Sequence, residues 1–297
     1  MAEELSVYYK VMKKLTSSFS FFGLLISTSI WGSTFFIIKD TVTAINPVTL
    51  VAYRFSLAAL IYAIIVLIKK ENLWAHAKHG FVLGVFVWII YLSQTLGLQY
   101  TTASNSGYIT GLFIVFVPLF NLMLFGKKAK VLQLVALCIA LVGLWFLTGG
   151  LKTINPGDVI TLISATVISL NILFIDKFVK EKKSVAVLGF QQFLTTAVLS
   201  FITALFFHLP LVIPNTNSLF PIIYLALFGS AIAQGLQLLC QKHLQALTSS
   251  LLLSTEPVFA AIFAWTFGNE LFIPAKAIGG FFVLAAIFMS ELPIKKK

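Results

Sequence analysis

Ten runs of about 20 apolar residues follow one another along this chain, joined by connections too short to fold alone. A hydrocarbon core about 30 Å thick is crossed by a helix of about that length. In lipid the backbone must satisfy its own hydrogen bonds, so such runs become helices. The spans fall near residues 20–38, 47–68, 80–98, 103–125, 131–149, 157–175, 185–207, 219–239, 246–268 and 275–290. Composition agrees: 59% of residues are hydrophobic and 10% charged, against about 45–50% and 25% in soluble domains. The expected fold is an all-α polytopic membrane protein. A cytosolic enzyme, a disordered regulator and a nucleic-acid-binding domain are excluded.

The first span follows Lys10, Lys13 and Lys14, as a signal peptide's apolar stretch does. It is too long for one, and no A-x-A site follows, so it reads as an uncleaved helix. Residues 5–15 (LSVYYKVMKKL) are expected to lie on the membrane surface as a short amphipathic segment.

The net charge of +11 is a topology signal. Of 21 basic residues, 17 lie in the N-terminus, the C-terminus and connections 69–79, 126–130, 176–184 and 240–245. The opposite connections hold three: Lys39, Lys152 and Lys276. Basic residues mark the cytoplasmic side, so both termini are expected there, facing an anionic inner leaflet. An even number of spans follows. No nucleic acid partner is expected, since no connection has room for a reading element.

The chain repeats itself. LISTSIWGSTFFIIKD (25–40) is matched by LISATVISLNILFID (162–176), LVAYRF (50–55) by LGFQQF (188–193), and VPLF (117–120) by EPVF (256–259). ALVGL (140–144) and KAIGG (276–280) close each half. Each copy holds five spans. An odd unit forces the second copy to enter the membrane from the opposite side, giving two inverted five-helix repeats. Many secondary transporters share this plan, with the substrate site at mid-depth between the halves. The expected division is a cytoplasmic segment 1–19, repeats 20–150 and 151–291, and a basic tail 292–297.

SIWGSTFFIIKD, NPVTLVAYRFSLAAL, TTASNSGYITGLFIVFVPLF and LSTEPVFAAIFAWTFGNE together resemble the EamA family of the drug/metabolite transporter superfamily, over roughly residues 20–290. The resemblance implies ten helices, two EamA repeats, a central cavity, and export or sometimes uptake of small metabolites such as amino acids. One departure is Gln192, which stands where the first repeat has Arg54.

Glu256 is the acidic residue deepest within a span. Ten residues into the ninth helix, it lies about 15 Å below the surface. A charged carboxylate there must be paired, solvated or protonated. It is read as a ligand for a substrate ammonium or a proton-coupling site, or else as a structural acid bonded to a neighbouring helix. Ser249, at i−7, would extend a polar stripe on the same face.

Pro118 and Pro257 occupy matching places and free the carbonyls of Ile114 and Leu253. Matched interruptions point to a transporter site, here as hinges. Arg54 could clamp a substrate carboxylate. It could instead snorkel to the outer interface or pair with an acid such as Asp40. The polar run opening the fourth span offers Asn105, Ser106, Tyr108 and Thr110. Its role is an anion-facing helix end or small-residue packing.

Trp31, Ser33 and Thr34 in the first span are weaker candidates, as are Gln94 and Asn171. Gln234, Gln237 and Gln241 form one stripe at i, i+3, i+7. His76 and His79 lack companion ligands, Cys138 and Cys240 lack a paired spacing, and there is no Walker A motif. No metal, cofactor or ATP-driven step is expected, and no enzymatic activity. Small-molecule substrate, bilayer and protons are the expected partners. Export of amino-acid-like or amphipathic solutes is the first reading. Uptake or exchange of a metabolite such as S-adenosylmethionine or a nucleotide-type solute, and a non-transporting scaffold, are the alternatives.

Overall fold

The computed structural model describes residues 2–101, 103–148, 155–181, 183–213, 218–266 and 272–290. Within these helices the side chains of residues 2–15, 17, 103–105, 108, 147, 148, 264 and 290 lie outside the description.

Among the described residues ten helical spans follow in order: α1 (Ala2–Thr41), α2 (Pro47–Ile68), α3 (Ala77–Tyr100), α4 (Ala103–Gly111 and Phe113–Phe125), α5 (Val131–Thr148), α6 (Pro156–Lys180), α7 (Val185–Phe206), α8 (Leu219–Gln241), α9 (Ala246–Leu253 and Glu256–Thr266) and α10 (Pro274–Ser290). Seven are long and apolar enough to cross a membrane on length and composition, and Ile109–Phe125, Val131–Phe146 and Pro274–Met289 are shorter apolar helices. Large apolar side chains such as Phe19, Leu60, Phe206 and Phe281 point outward, as a lipid-facing surface requires.

Local chemistry sets the helix starts. Pro47, Pro156 and Pro274 each open a helix, where the missing N–H has no partner to lose. The Asn46 side chain accepts the Val48 N–H at 3.0 Å. Asn155 and Asp158 form a reciprocal capping box, and the Thr101 hydroxyl donates to Asp158 at 2.5 Å. That bond ties the end of α3 to the start of α6.

The expected surface segment over 5–15 is not separate. Residues 2–41 form one helix, and no Gly or Pro stands before Gly23 to break it.

The two halves interlock symmetrically. α2 packs on α7, and α5 on α10. α3 lies against α6 as α8 lies against α1, and α4 meets α6 as α9 meets α1. Exchanging each helix for the one five places later maps these contacts onto themselves. An inverted duplication gives such a pattern.

The two axial contacts differ in kind. At α5–α10 the backbones touch: a Cβ added to Gly143 would sit 2.7 Å from the Gly279 carbonyl oxygen and 2.8 Å from the Val283 nitrogen. At α2–α7 side chains mediate. The Tyr62 ring lies in a saddle made by Gly189 of α7 and Gly235 of α8, and meets Phe193 edge-on at 5.0 Å. Its hydroxyl donates to the Ala231 carbonyl at 3.0 Å.

Three spans are irregular. α9 breaks at Ser254 and Thr255, directly before Pro257, whose ring nitrogen cannot donate to the Leu253 carbonyl. α4 breaks at Leu112, ahead of Pro118, which sits inside its second piece. α8 widens into a π-helical stretch over Leu225–Ile232, of a kind often found at functional sites.

Candidate functional site

A cavity with about 600 Å³ of empty space lies between the halves. The first half contributes Trp31 and Thr34 from α1, Val87, Ile90, Tyr91 and Gln94 from α3, and Thr110 and Phe113 from α4. The second contributes Ile168 and Asn171 from α6, Gln234 and Gln237 from α8, and Leu253 and Glu256 from α9. The lining helices are thus symmetry mates, α1 with α6, α3 with α8 and α4 with α9. The axial pairs α2–α7 and α5–α10 stay out of the wall.

Glu256 opens the second piece of α9. That places the carboxylate in the first turn of a half-helix, the end that favours negative charge. The residue is half-buried, and among the described residues its carboxylate has neither an ion pair nor a hydrogen-bond partner. Such a group is left to be satisfied from the cavity side.

The surrounding polar groups are partly committed. The Trp31 indole N–H donates to the Gly229 carbonyl, inside the π stretch, at 2.8 Å. The Gln94 amide donates to the Thr110 hydroxyl at 3.4 Å. The Gln192 amide donates to the Gln234 side-chain oxygen at 3.3 Å. The Asn171 amide nitrogen is buried without a partner. Unspent donors on the wall are available to a ligand.

Arg54 does not line the cavity, snorkel, or pair with Asp40. It is 2% exposed. Its Nε donates to the Ser230 hydroxyl at 2.6 Å, its guanidinium lies 4.5 Å from the Tyr91 ring centre, and Nη2 has no partner. Arg54 therefore stands behind Tyr91, which forms the wall. Desolvated cation–π contacts of this kind contribute about 2 kcal/mol.

Of the sequence candidates, the cavity gathers Glu256, Thr110, Trp31, Thr34, Gln94, Asn171, Gln234 and Gln237. Ser106 and Ser249 are buried with unpartnered hydroxyls but do not line it. The expected common face of Ser249 and Glu256 does not exist, because α9 is interrupted between them. Gln241 leaves the stripe to donate to the Ile172 carbonyl at 3.4 Å. Ser33 bonds the Tyr224 hydroxyl at 2.7 Å instead. The side chains of Asn105 and Tyr108 lie outside the described residues. His79 is half-buried, its ring packing edge-on against Phe178 at 4.5 Å.

Sequence reasoning missed Tyr91. Its signal was a hydroxyl-bearing ring three residues before Gln94, on the same helical face.

The EamA-like transporter family model matches twice, over residues 8–149 and 155–292. The chain belongs to the EamA-like transporter family. The two matches give each half its own copy of the family's unit. Among relatives of this EamA-like transporter, an uncharacterized transporter of Archaeoglobus fulgidus is 28% identical over 272 residues, covering 92% of this chain and 85% of that one. The uncharacterized inner membrane transporter YedA of Escherichia coli (strain K12) is 25% identical over 250 residues, covering 81% and 80%. A solved crystal structure shares the fold at a TM-score of 0.78 and 18% identity, covering 92% of this chain and 96% of its own. The protein is thus a membrane transporter.

Proposed function

We propose that this EamA-like transporter is a secondary carrier exporting small amino-acid-like or amphipathic solutes across the cytoplasmic membrane. The substrate binds in the cavity between the halves, and repeats 20–150 and 151–291 rock about it in alternating access. Both termini face the cytoplasm, following the distribution of lysine.

One observation carries the reading. An unpartnered carboxylate, Glu256, lines a cavity walled by three helices from each half. Ring faces from Trp31, Tyr91 and Phe113 supply apolar contact, while glutamines and Asn171 supply donors and acceptors. Glu256 serves as ligand to a substrate ammonium or as the group that exchanges a proton for it.

Proteoliposomes loaded with candidate amino acids test this under an imposed proton gradient. The wild-type chain should release substrate faster with the gradient than without. Glu256→Gln should lower gradient-driven release at least about tenfold, a rise of about 1.4 kcal/mol in the transport barrier, with folded yield unchanged. Normal gradient-driven transport by Glu256→Gln would remove the carboxylate from the mechanism. Absence of transport of any amino-acid-like solute by the wild-type chain would remove the substrate class.

A further inference from the structure

A second cavity, with about 800 Å³ of empty space, opens where the α4–α5 connection, the end of α6 and the start of α9 meet. Its chemistry is one-sided. Lys127, Lys128 and Lys130 line it, and among the described residues none of the three has an ion pair. The acid present, Asp176, is already held by Lys180 at 2.5 Å.

Neutral donors point the same way. Asn121 is 7% exposed and lines the cavity, yet among the described residues its side-chain amide has no hydrogen-bond partner. Gln133 uses its oxygen to accept the Lys130 N–H at 3.0 Å, which leaves its NH2 free to donate. The first piece of α9 begins here, and no side chain caps it. Its first backbone bond runs from Ser249 N–H to the Gln245 carbonyl at 2.8 Å. The amides of Ala246 and Leu247, both on the cavity wall, therefore sit in an uncapped first turn. Lysines, the unpartnered amide of the largely buried Asn121 and a helix N-terminus converge on one space whose acid is already paired.

We propose that this cavity binds a phosphate-bearing anion. Two sources share that chemistry: the headgroup of an anionic phospholipid and a soluble phosphate. A lipid would find a bed for its chains beside the cavity, where Leu122 and Met123 of α4 and Val131 and Leu134 of α5 are exposed. Basic pockets between membrane helices hold anionic headgroups in this way.

The test uses the purified full chain in neutral detergent at constant ionic strength. Thermal unfolding is followed while dihexanoyl phosphatidylglycerol is titrated in one arm and inorganic phosphate in the other. Dihexanoyl phosphatidylcholine controls for the chains. The unfolding midpoint should rise with at least one anion. The triple variant Lys127→Gln, Lys128→Gln, Lys130→Gln should weaken that binding roughly 100-fold, the loss expected of three lysine contacts. Asn121→Leu should weaken it while leaving the lysines in place. The triple variant Lys69→Gln, Lys70→Gln, Lys78→Gln removes equal charge elsewhere and should bind as wild type. A response to the glycerol lipid alone assigns a headgroup site, and a response to phosphate alone assigns a soluble ligand. No response to either anion, or equal weakening by the two lysine triples, would overturn the site.

Discussion

Tyr62 makes a prediction whose parts separate cleanly. Its hydroxyl donates one bond to the Ala231 carbonyl, in the π stretch of α8, and its ring fills a saddle between two glycines and Phe193. Tyr62→Phe removes the bond and keeps the ring. Interhelical bonds in membrane proteins contribute about 0.6 kcal/mol on average and up to about 1.7. The side chain is 8% exposed, so no water replaces the lost partner, and about 1 kcal/mol is expected. Tyr62→Ala also empties the saddle, at a cost of about 3–5 kcal/mol. Gly235→Ala in the wild-type background pushes a methyl group into the Tyr62 hydroxyl and should cost about 1–3 kcal/mol. Combined with Tyr62→Ala, the same methyl group enters a vacated space. The double variant should then be more stable than the sum of the singles by about 1 kcal/mol or more. Reversible unfolding in mixed micelles, read by tryptophan fluorescence, measures all four. Additive singles, or a Tyr62→Phe cost above about 3 kcal/mol, would refute the saddle as the source of stability.

Three further outcomes follow from the same contacts. Gly143→Ala should destabilise by about 1–3 kcal/mol in the same unfolding assay, because backbone atoms of α10 cannot step aside for a side chain. Asn155→Ala should cost about 1 kcal/mol by removing the cap of α6, and Asn155→Asp should restore most of it. Arg54→Lys keeps the charge but loses the planar fork that serves Ser230 and Tyr91 together. It should destabilise by about 1–2 kcal/mol, while Ser230→Ala alone, by the same assay, should recover the smaller hydrogen-bond share.

Much of this architecture was legible in the chain. Apolar run length gave ten spans, and their duplication gave the inverted plan, because both are properties of segments rather than of contacts. Glu256, Gln234 and Gln237 were also readable as lining residues, since a polar group inside an apolar span has few places to point. The breaks were harder. Pro257 marks the break in α9, whereas the break in α4 falls at Leu112, beside Gly111 and six residues before Pro118, so the proline alone does not place it. Arg54 was misread because its partners are remote in sequence. Ser230 and Tyr91 come from α8 and α3, and nothing near residue 54 announces them. Ser249 was placed on the face of Glu256 by assuming an unbroken helix. The π stretch was invisible for a related reason: it is supported from outside, by Trp31 and Tyr62 bonding to its carbonyls.

The unlike contacts on the symmetry axis bear on how the halves can move. Along α5–α10, main chain lies on main chain at Gly143. A slide of one residue is about 1.5 Å and would drive a Cβ into the opposite backbone, so these two helices travel as one piece. Along α2–α7 the contact runs through the rings of Tyr62, Phe55 and Phe193, which can rotate and re-stack without the backbones separating. If the halves rock as proposed, relative motion is expected at the ring-mediated contact rather than at the glycine contact. The protein is bound like a book, with its spine at the glycines and its fore-edge at the aromatic rings.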